Sequence, residues 1–535
     1  MTRRRIRDWL GTPGRQRTLT DVAVLAGLFV VVWLAYAPSQ KHVPRADQWC
    51  FLVDTLDDHT FRDTFRHSYS YNRTRQVAPG DTDLFRPLLF ALLSAEKVLF
   101  GGHLAAVQTL GIVLHCAICT LLLALLRQSA GLVRRDSPES PAGLPRQDLL
   151  MYATVAFFAL NPAIQELVIW SHLHGYLLFL VLMLGSVSCL IRYVGVPAAR
   201  WLWLGWALAG LAAFTYELGQ VYAVLAGVFV AVGAFPRLRM ARAVAVLGLF
   251  ATIPVSYQVW NRIDLQVHQG KFKADNLSPL IAERMLWPAT VGHSARYAVY
   301  TTVQPFFPSL VDATYSGQRL QIAETVWAGK KLKALSPALA VSFIAVGLGL
   351  VLTLAGVGCH LRERGRLALL VVLLPTTLYA TYAGMAVLGR MNIRPCPTTL
   401  TSNSYYSYAA LLFALLAVSA LWQAVGEWAT RLRAAFAIAL LTLTAHGAEH
   451  IWRMNIAVAH QDREWSRPLR GVQDFVDAHR GEPGFSFSID YVNSDTIPVM
   501  YDYPITEVVF REWTNHPNPR YRLIVRNGRA EASGP

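Results

Sequence analysis

The chain has 535 residues, of which 54% are apolar and only 16% are charged, and its mean hydropathy is +0.33. Several segments exceed ~18 nearly uncharged residues, the length that crosses about 30 Å of hydrocarbon, and this excludes an ordinary soluble protein. The net charge of +15 comes mostly from arginines in short loops between these segments, which favours membrane orientation and anionic lipid over nucleic acid. The composition therefore predicts an all-α polytopic membrane protein.

The first apolar segment, about 20–38, follows a cluster of arginines, and this predicts a cytoplasmic N-terminus. Because the segment reaches the length of a full span, a membrane helix is favoured over a cleaved signal peptide. The region 39–103 is then external. The cluster consists of Arg3, Arg4, Arg5, Arg7, Arg15 and Arg17.

The external region 39–103 is rich in carboxylates and aromatic side chains between Asp47 and Asp83. Carboxylates near a bilayer carry a desolvation cost, so they indicate proton transfer, cation binding or recognition of a polar substrate. Residues 84–100 form either a span or an interfacial or re-entrant helix. We favour the second interpretation because it keeps the next basic loop cytoplasmic and because the segment holds Arg86, Glu96 and Lys97.

Further apolar segments bring the prediction to about eleven transmembrane helices. Their short basic turns all fall on the cytoplasmic side, which supports a single orientation. The predicted spans are 20–38, 104–127, 149–169, 173–193, 201–216, 219–235, 242–260, 335–358, 367–389, 405–425 and 434–452.

This pattern divides the chain into two predicted domains. Residues 1–452 form a transmembrane domain with external loops 39–103 and 261–334, and residues 453–535 form a small external domain. In the second domain, 467–479 has the periodicity of a helix, while 485–491, 507–513 and 521–526 have the pattern of short strands. The expected tail is therefore a small α/β domain.

Motifs for several kinds of chemistry are missing from the sequence. It has no Gly-rich phosphate loop, Walker motif or Gly-x-Ser-x-Gly elbow, which argues against ATP-driven transport and against a hydrolase. Cys116 and Cys119 lie inside an apolar segment without a second ligand pair, which favours packing over zinc binding. Cys50 and Cys396 are both predicted on the outer face, so they form either a disulfide or two free thiols.

Four motifs together resemble the GT-C superfamily of membrane glycosyltransferases, in particular the protein O-mannosyltransferases of the PMT and tetratricopeptide-associated kinds. That family has an acidic residue after its first span, an aromatic-Arg-Pro-Leu motif, an apolar-x-Pro-x-x-x-Glu motif and a Ser-Lys-Glu segment. Tyr216 replaces the Lys of the last motif, and 404–408 is a weaker echo of an Arg-Tyr-rich stretch. The matching segments are Asp47-Gln48-Trp49, Phe85-Arg86-Pro87-Leu88, Phe158–Glu166 and Phe214-Thr215-Tyr216-Glu217.

The resemblance implies an inverting glycosyltransferase that moves a sugar from a polyprenyl-phosphate donor to a hydroxyl of a glycan, lipid or protein on the outer face. Asp47 is then the expected general base, the alternative being a helix cap or a surface salt bridge. Glu166 and Glu217 are expected to orient the surroundings of Asp47, to bind acceptor hydroxyls or to pair with an arginine. Asp83 either supports this site or forms a local ion pair with Arg86.

The leaving phosphate of such a donor needs cations at the membrane surface. Arg86 and the amphipathic external segment 261–297 are the candidates, and the alternatives are a structural role for Arg86 and simple binding of anionic lipid heads by the segment. A divalent cation near Asp47 is compatible with the sequence, but no ligand spacing requires a metal. The basic residues proposed in the segment are Arg262, Lys271, Lys273, Arg284 and Arg296.

Two other functions stay open: a lipid-linked sugar flippase or secondary transporter, and a non-catalytic envelope assembly protein. Transport is disfavoured because the acidic groups gather on one face and no paired, Gly/Pro-broken spans indicate inverted repeats. The Arg- and Ala-rich composition favours a bacterial inner membrane. The expected partners are a polyprenyl-phosphate-linked sugar, its acceptor and membrane lipids, without nucleic acid.

Overall fold

A computed structural model describes residues 13–41, 51, 55, 58–74, 85–101, 103–135, 145–234, 240–270, 405–424, 430–479, 481–483, 487–491, 520–526 and 529–533. The α-helices are α1 (Pro13–Tyr36), α2 (Phe61–Thr74), α3 (Pro87–Phe100), α4 (Leu104–Arg135), α5 (Pro145–Ala159), α6 (Gln165–Ile169), α7 (His174–Gly195), α8 (Ala199–Thr215), α9 (Leu218–Ala234), α10 (Met240–Gln269), α11 (Tyr405–Ala424) and α12 (Thr430–His479). Short 3-10 helices span Ala37–Lys41, Pro162–Ile164 and Ser171–Leu173. The strands are β1 (Phe487–Tyr491), β2 (Tyr521–Arg526) and β3 (Arg529–Ser533).

The described part of the chain is mostly helical, as expected for a multi-pass membrane protein. Its helices include Gln16–Lys41, Ala105–Ala130, Ser171–Gly195, Met240–His268 and Arg433–Ile456, each long and apolar enough to cross a bilayer. α3 has only 14 residues, about 21 Å of helix, which is too short for a span. The predicted spans 335–358 and 367–389 lie outside the described residues, so the total of eleven stays a prediction.

α7 lies at the centre of the helix bundle and α1 at its periphery. Of the apolar window of each span, 72% is buried in α7 but only 11% in α1. α7 packs against α4 and α8, α9 packs against α10, and α5 packs against α12. The two ends of α7 are therefore fixed by several neighbouring helices at once.

The predicted span 149–169 is interrupted in the structure. α5 ends at Ala159, and the chain then turns at Asn161 and Pro162. The extended backbone of Asn161 (φ −88°, ψ 122°) and its side-chain oxygen, which accepts from the Ala163 N–H at 3.0 Å, begin a new 3-10 turn. Because proline lacks an N–H and suits only the first turn of a helix, the chain restarts at this point.

Two helices continue past their predicted ends. α10 runs to Gln269, although the span was expected to end at 260, so Arg262 lies on a helix and not in a loop. α12 has 50 residues and passes straight through the expected domain boundary between 452 and 453. The helix predicted at 467–479 is the last part of α12.

The C-terminal strands form one three-stranded sheet in the order β1-β2-β3. β1 pairs with β2 in parallel, with Phe487 opposite Tyr521, and β2 pairs with β3 antiparallel, with Arg526 opposite Arg529. The strand at β3 was not predicted, and the one expected at 507–513 lies outside the described residues.

Polar contacts mark the two ends of the bundle. At the end predicted to be cytoplasmic, the guanidinium of Arg127 donates to the carboxylates of Asp21 and Asp148, which joins α1, α4 and α5. At the opposite end, the Gln40 amide donates to the Thr109 hydroxyl at 3.3 Å. The candidate site lies at this second end.

Candidate functional site

The start of α3 presents an arginine side chain to the neighbouring helices. Pro87 occupies the first turn of α3, where its missing N–H costs nothing, and Arg86 precedes it in a non-helical conformation (φ −127°, ψ 58°). The Arg86 carbonyl accepts from the N–H groups of Leu89 and Phe90. The Arg86 side chain makes no capping bond, so its guanidinium reaches another part of the fold.

The junction between α8 and α9 places an acidic residue opposite this arginine. α8 ends because Tyr216 is extended (φ −151°, ψ 137°), and α9 begins at Leu218, so Glu217 lies in the gap. A Cβ atom at Gly219 would lie 2.5 Å from backbone atoms of Ala213. Only glycine therefore allows the start of α9 to approach the end of α8 this closely.

Arg86 and Glu217 form a forked ion pair. Arg86 Nε donates to Glu217 Oε2 at 2.7 Å and Nη2 donates to Oε1 at 2.5 Å. The guanidinium carbon lies 4.0 Å from the centroid of the Tyr216 ring, a cation–π geometry. The side chains of Arg86 and Glu217 are 17% and 26% exposed, so the pair is largely shielded from solvent but can still be reached from outside.

The environment keeps Arg86 charged. Burial by itself lowers the pKa of the guanidinium, but the Glu217 charge and its hydrogen bonds outweigh this and hold the pKa of Arg86 above its ordinary value. Phe85 packs edge-on against Phe214 and Tyr257, with ring centroids 5.9 Å and 5.3 Å away. The fold thus brings two of the motifs, 85–88 and 214–217, into direct contact.

The segment Phe158–Glu166 meets Tyr408, which belongs to the weaker echo of the Arg-Tyr-rich stretch. His115 of α4 bridges them: its Nδ1 lies 2.6 Å from the Tyr408 hydroxyl and its Nε2 lies 3.0 Å from the Ala159 carbonyl. Because a carbonyl only accepts, Nε2 carries the proton and Nδ1 accepts from Tyr408. Phe158 packs edge-on against Tyr408 at 5.0 Å. Phe158 and Tyr408 are therefore neighbours although 250 positions separate them in the sequence.

A buried acid–imidazole pair fastens α3 to the first turn of α7. His174 Nδ1 lies 3.0 Å from Glu96 Oε1, and both side chains are almost fully buried. Two residues later, Tyr176 packs edge-on against Tyr216 at 5.0 Å. These contacts connect the His174 pair to the Arg86 site. The sequence reasoning missed this pair, although the charge of Glu96 in an apolar helix was a signal for it.

The structure describes only some of the predicted site residues and brings two of them together. Arg86 and Glu217 are brought together, and Arg262 is exposed on α10, away from any ion pair among the described residues. Glu166 lies in α6, with only its backbone described. The residues outside the described parts are Asp47, Asp83, Lys271, Lys273, Arg284, Arg296, Cys50 and Cys396.

Metal and disulfide chemistry have no described site. The described residues contain no group of three or more His, Cys, Asp or Glu side chains that could hold a metal ion. Cys116, Cys119 and Cys189 are free thiols. His172 lies in the 3-10 turn Ser171–Leu173.

No protein-family model matches the sequence, and no curated protein matches it. Two solved structures are similar to the chain: the oligosaccharyltransferase of Archaeoglobus fulgidus, in complex with zinc and sulfate, and ArnT of Cupriavidus metallidurans in the apo state. Each has a TM-score of 0.39 and 12% identity; the match covers 86% of this chain and 60% of the first structure, and 95% and 93% for the second. The matched part of this chain spans less than two thirds of the oligosaccharyltransferase.

Proposed function

We propose that the protein is an inverting glycosyltransferase that moves a sugar from a polyprenyl-phosphate donor to a hydroxyl acceptor on the outer face of the membrane. The acceptor is a glycan, a lipid or a protein. The observation that carries the proposal is the contact between Arg86 and Glu217, which joins two motifs that lie far apart in the sequence. A fold that holds one charged arginine in a fixed orientation at the end of a bundle suits the binding of a phosphate.

Arg86 is the proposed phosphate ligand. Arg86 donates to Glu217 through Nε and Nη2, and these two bonds fix the plane of the guanidinium. Arg86 Nη1, which does not bond to Glu217, is the nitrogen proposed to donate to the phosphate. When the bond between the sugar and the phosphate breaks, negative charge grows on the phosphate oxygens. A preorganised guanidinium stabilises that charge without having to reorganise during the reaction.

Glu217 and Tyr216 act as positioning residues. The carboxylate holds the fork of Arg86 in one plane, while the Tyr216 ring covers one face of the guanidinium at 4.0 Å. The family that the motifs resemble has a Lys where this chain has Tyr216, and that Lys would place a second cation beside Arg86. The aromatic ring instead favours the single charge through its quadrupole.

Asp47 is the proposed general base. It takes the proton of the acceptor hydroxyl while the acceptor oxygen bonds to the anomeric carbon from the face opposite the phosphate, and this inverts the configuration. The bond from that carbon to the phosphate oxygen breaks, and polyprenyl phosphate leaves with the electron pair. These steps need no nucleotide site, in agreement with the absence of phosphate-loop motifs from the sequence.

The test is a transfer assay with purified protein and a panel of polyprenyl-phosphate sugars, with EDTA added in one arm to detect a divalent cation. Wild type is expected to transfer one sugar, Asp47→Asn to fold normally without transferring it, and Asp63→Asn, in the same external region, to keep activity. If Asp47→Asn transfers at the wild-type rate, Asp47 is not the base. Movement of labelled lipid across vesicles without any transfer supports a flippase or transporter, and neither activity supports an assembly protein.

The same proposal includes a location. We place the protein in a bacterial inner membrane, with its N-terminus in the cytoplasm and its C-terminal sheet outside. This orientation is checked by introducing single cysteines at exposed positions of the protein and labelling them from outside in intact cells. Labelling of Gln16→Cys, at an exposed position near the start of α1, from outside the cell would reverse it.

A further inference from the structure

Helix α2, in the predicted external region, has one face with aromatic rings and an adjacent face with arginines. Its first turn is capped by Thr60, whose hydroxyl oxygen accepts from the Asp63 N–H at 3.1 Å and whose O–H donates to the Asp63 carboxylate at 2.6 Å. Phe61 and Phe65 stack with centroids 6.1 Å apart, and Phe61 is 46% exposed. A large aromatic ring at the surface of such a helix is typical of an interfacial helix.

Two arginines of α2 form no ion pair with the described part of the protein. Arg62 and Arg66 are exposed, one helical turn apart on the same face, and neither forms an ion pair with a described residue. The nearest carboxylate in sequence, Asp63, is engaged by Thr60. Like charges in this spacing repel each other, and an anion bound between them would remove the repulsion.

α10, which packs against α2, exposes aliphatic side chains beside their contact. Tyr69 of α2 packs edge-on against Phe90 of α3 and against His268 of α10, with centroids 5.9 Å and 5.7 Å away. On α10 beside this contact, Ile263 and Val267 are 47% and 73% exposed. Exposed aliphatic side chains at this level match the edge of a bilayer better than open water.

We propose that Arg62 and Arg66 bind the phosphate of an anionic phospholipid while Phe61 inserts beside its acyl chains. The charge of the arginine pair selects an anionic head over a zwitterionic one, and the aromatic ring distinguishes a lipid from free phosphate. This inference does not depend on the proposed enzymatic activity. It assigns α2 as a lipid-held element of the external region.

The test is titration of purified protein with short-chain phosphatidylglycerol, followed by native mass spectrometry. Each basic residue near an anionic surface contributes ~1 kcal/mol, so Arg62→Gln/Arg66→Gln should weaken binding roughly 30-fold. Arg62→Lys/Arg66→Lys, which keeps both charges, should lose less than about fivefold. Arg453→Gln, whose charge Glu449 already matches, should change affinity less than about twofold.

Short-chain phosphatidylcholine and inorganic phosphate complete the experiment. The proposal expects both to bind far more weakly than phosphatidylglycerol. Equal affinity of wild type and the double Gln variant for phosphatidylglycerol overturns it, and equal binding of inorganic phosphate shows a plain anion site instead. Because the Lys variant keeps the charge, loss of binding in both double variants would point to misfolding of α2 and also overturn the assignment.

Discussion

Substitution of Glu217 by glutamine tests the central contact of the candidate site. The change keeps the size of the side chain and one acceptor oxygen, but it removes the negative charge opposite Arg86. Removal of one partner of a fully buried ion pair costs about 3–5 kcal/mol, whereas exposed pairs contribute about 0.2–1 kcal/mol. Since the two side chains are 17% and 26% exposed, we expect Glu217→Gln to lower the free energy of unfolding by about 2 kcal/mol.

A double-mutant cycle isolates the energy of this pair. Unfolding of the wild type, Arg86→Gln, Glu217→Gln and the double variant in mixed detergent micelles should give a coupling energy of about 2 kcal/mol. The control is the Arg453–Glu449 pair, which has the same 2.5 Å contact but is 71% and 51% exposed. Its coupling energy should stay below about 0.5 kcal/mol.

The two pairs share a 2.5 Å contact, but Arg86 and Glu217 are more buried and form a forked pair beside Tyr216, whereas Arg453 and Glu449 are exposed and lie one turn apart on α12. A coupling energy for Arg86 and Glu217 no larger than that of the control pair would refute the claim that shielding from solvent makes this contact strong. In the transfer assay, Glu217→Gln should raise KM for the donor and also lower kcat, because the positioned guanidinium binds the phosphate before reaction and stabilises the charge that grows on it as the bond breaks. Unchanged KM and kcat would contradict the positioning role of Glu217.

Two further predictions concern other parts of the fold. Gly219→Ala should lower the free energy of unfolding in detergent by at least about 2 kcal/mol, because the new Cβ would meet the Ala213 backbone. The control is Gly210→Ala, whose Cβ meets nothing within 4 Å and which should stabilise the protein by about 0.5–1 kcal/mol. A Gly219→Ala variant as stable as the wild type would contradict the packing of α8 on α9. Hydrogen bonds from His479 and Tyr521 lower the pKa of Glu482 from 4.5, so this contact stabilises docking of β2 on α12 above the ordinary carboxyl pKa and is lost as pH falls through the lowered value. The protection factors of the β2 amides, which correct for the slower intrinsic exchange in acid, should therefore fall as the pH is lowered, and Tyr521→Phe should shift the onset of this fall to higher pH.

The sequence predicted most helices because lipid imposes a strong local rule. A spanning segment must be long, apolar and helical, since its backbone groups find no partners in hydrocarbon. This is why α1, α4, α7 and α11 lie close to their predicted positions. The same rule does not mark where a helix leaves the membrane, so α10 and α12 continued past the expected boundaries.

The interruption at Asn161-Pro162 shows a different kind of limit. Both residues carry a local signal for a helix start, but the apolar run around them is long enough to suggest one uninterrupted span. The helix ends here in spite of the apolar pattern, because Pro162 has no N–H to donate to the preceding turn and because the Asn161 side chain accepts from the Ala163 N–H and so begins a new turn. Both residues belong to the motif Phe158–Glu166, but the apolar pattern of that segment predicts no break.

Length, hydropathy and residue type are local properties, and for this reason they predict a membrane protein, most of its helices and the segments that carry the motifs. The pairing of Arg86 with Glu217 and of His174 with Glu96 appears only in the folded chain. These partners lie 131 and 78 positions apart, and their meeting depends on how α3, α7, α8 and α9 pack. A charge in a sequence shows that a partner is needed, but only the path of the chain determines which residue becomes that partner.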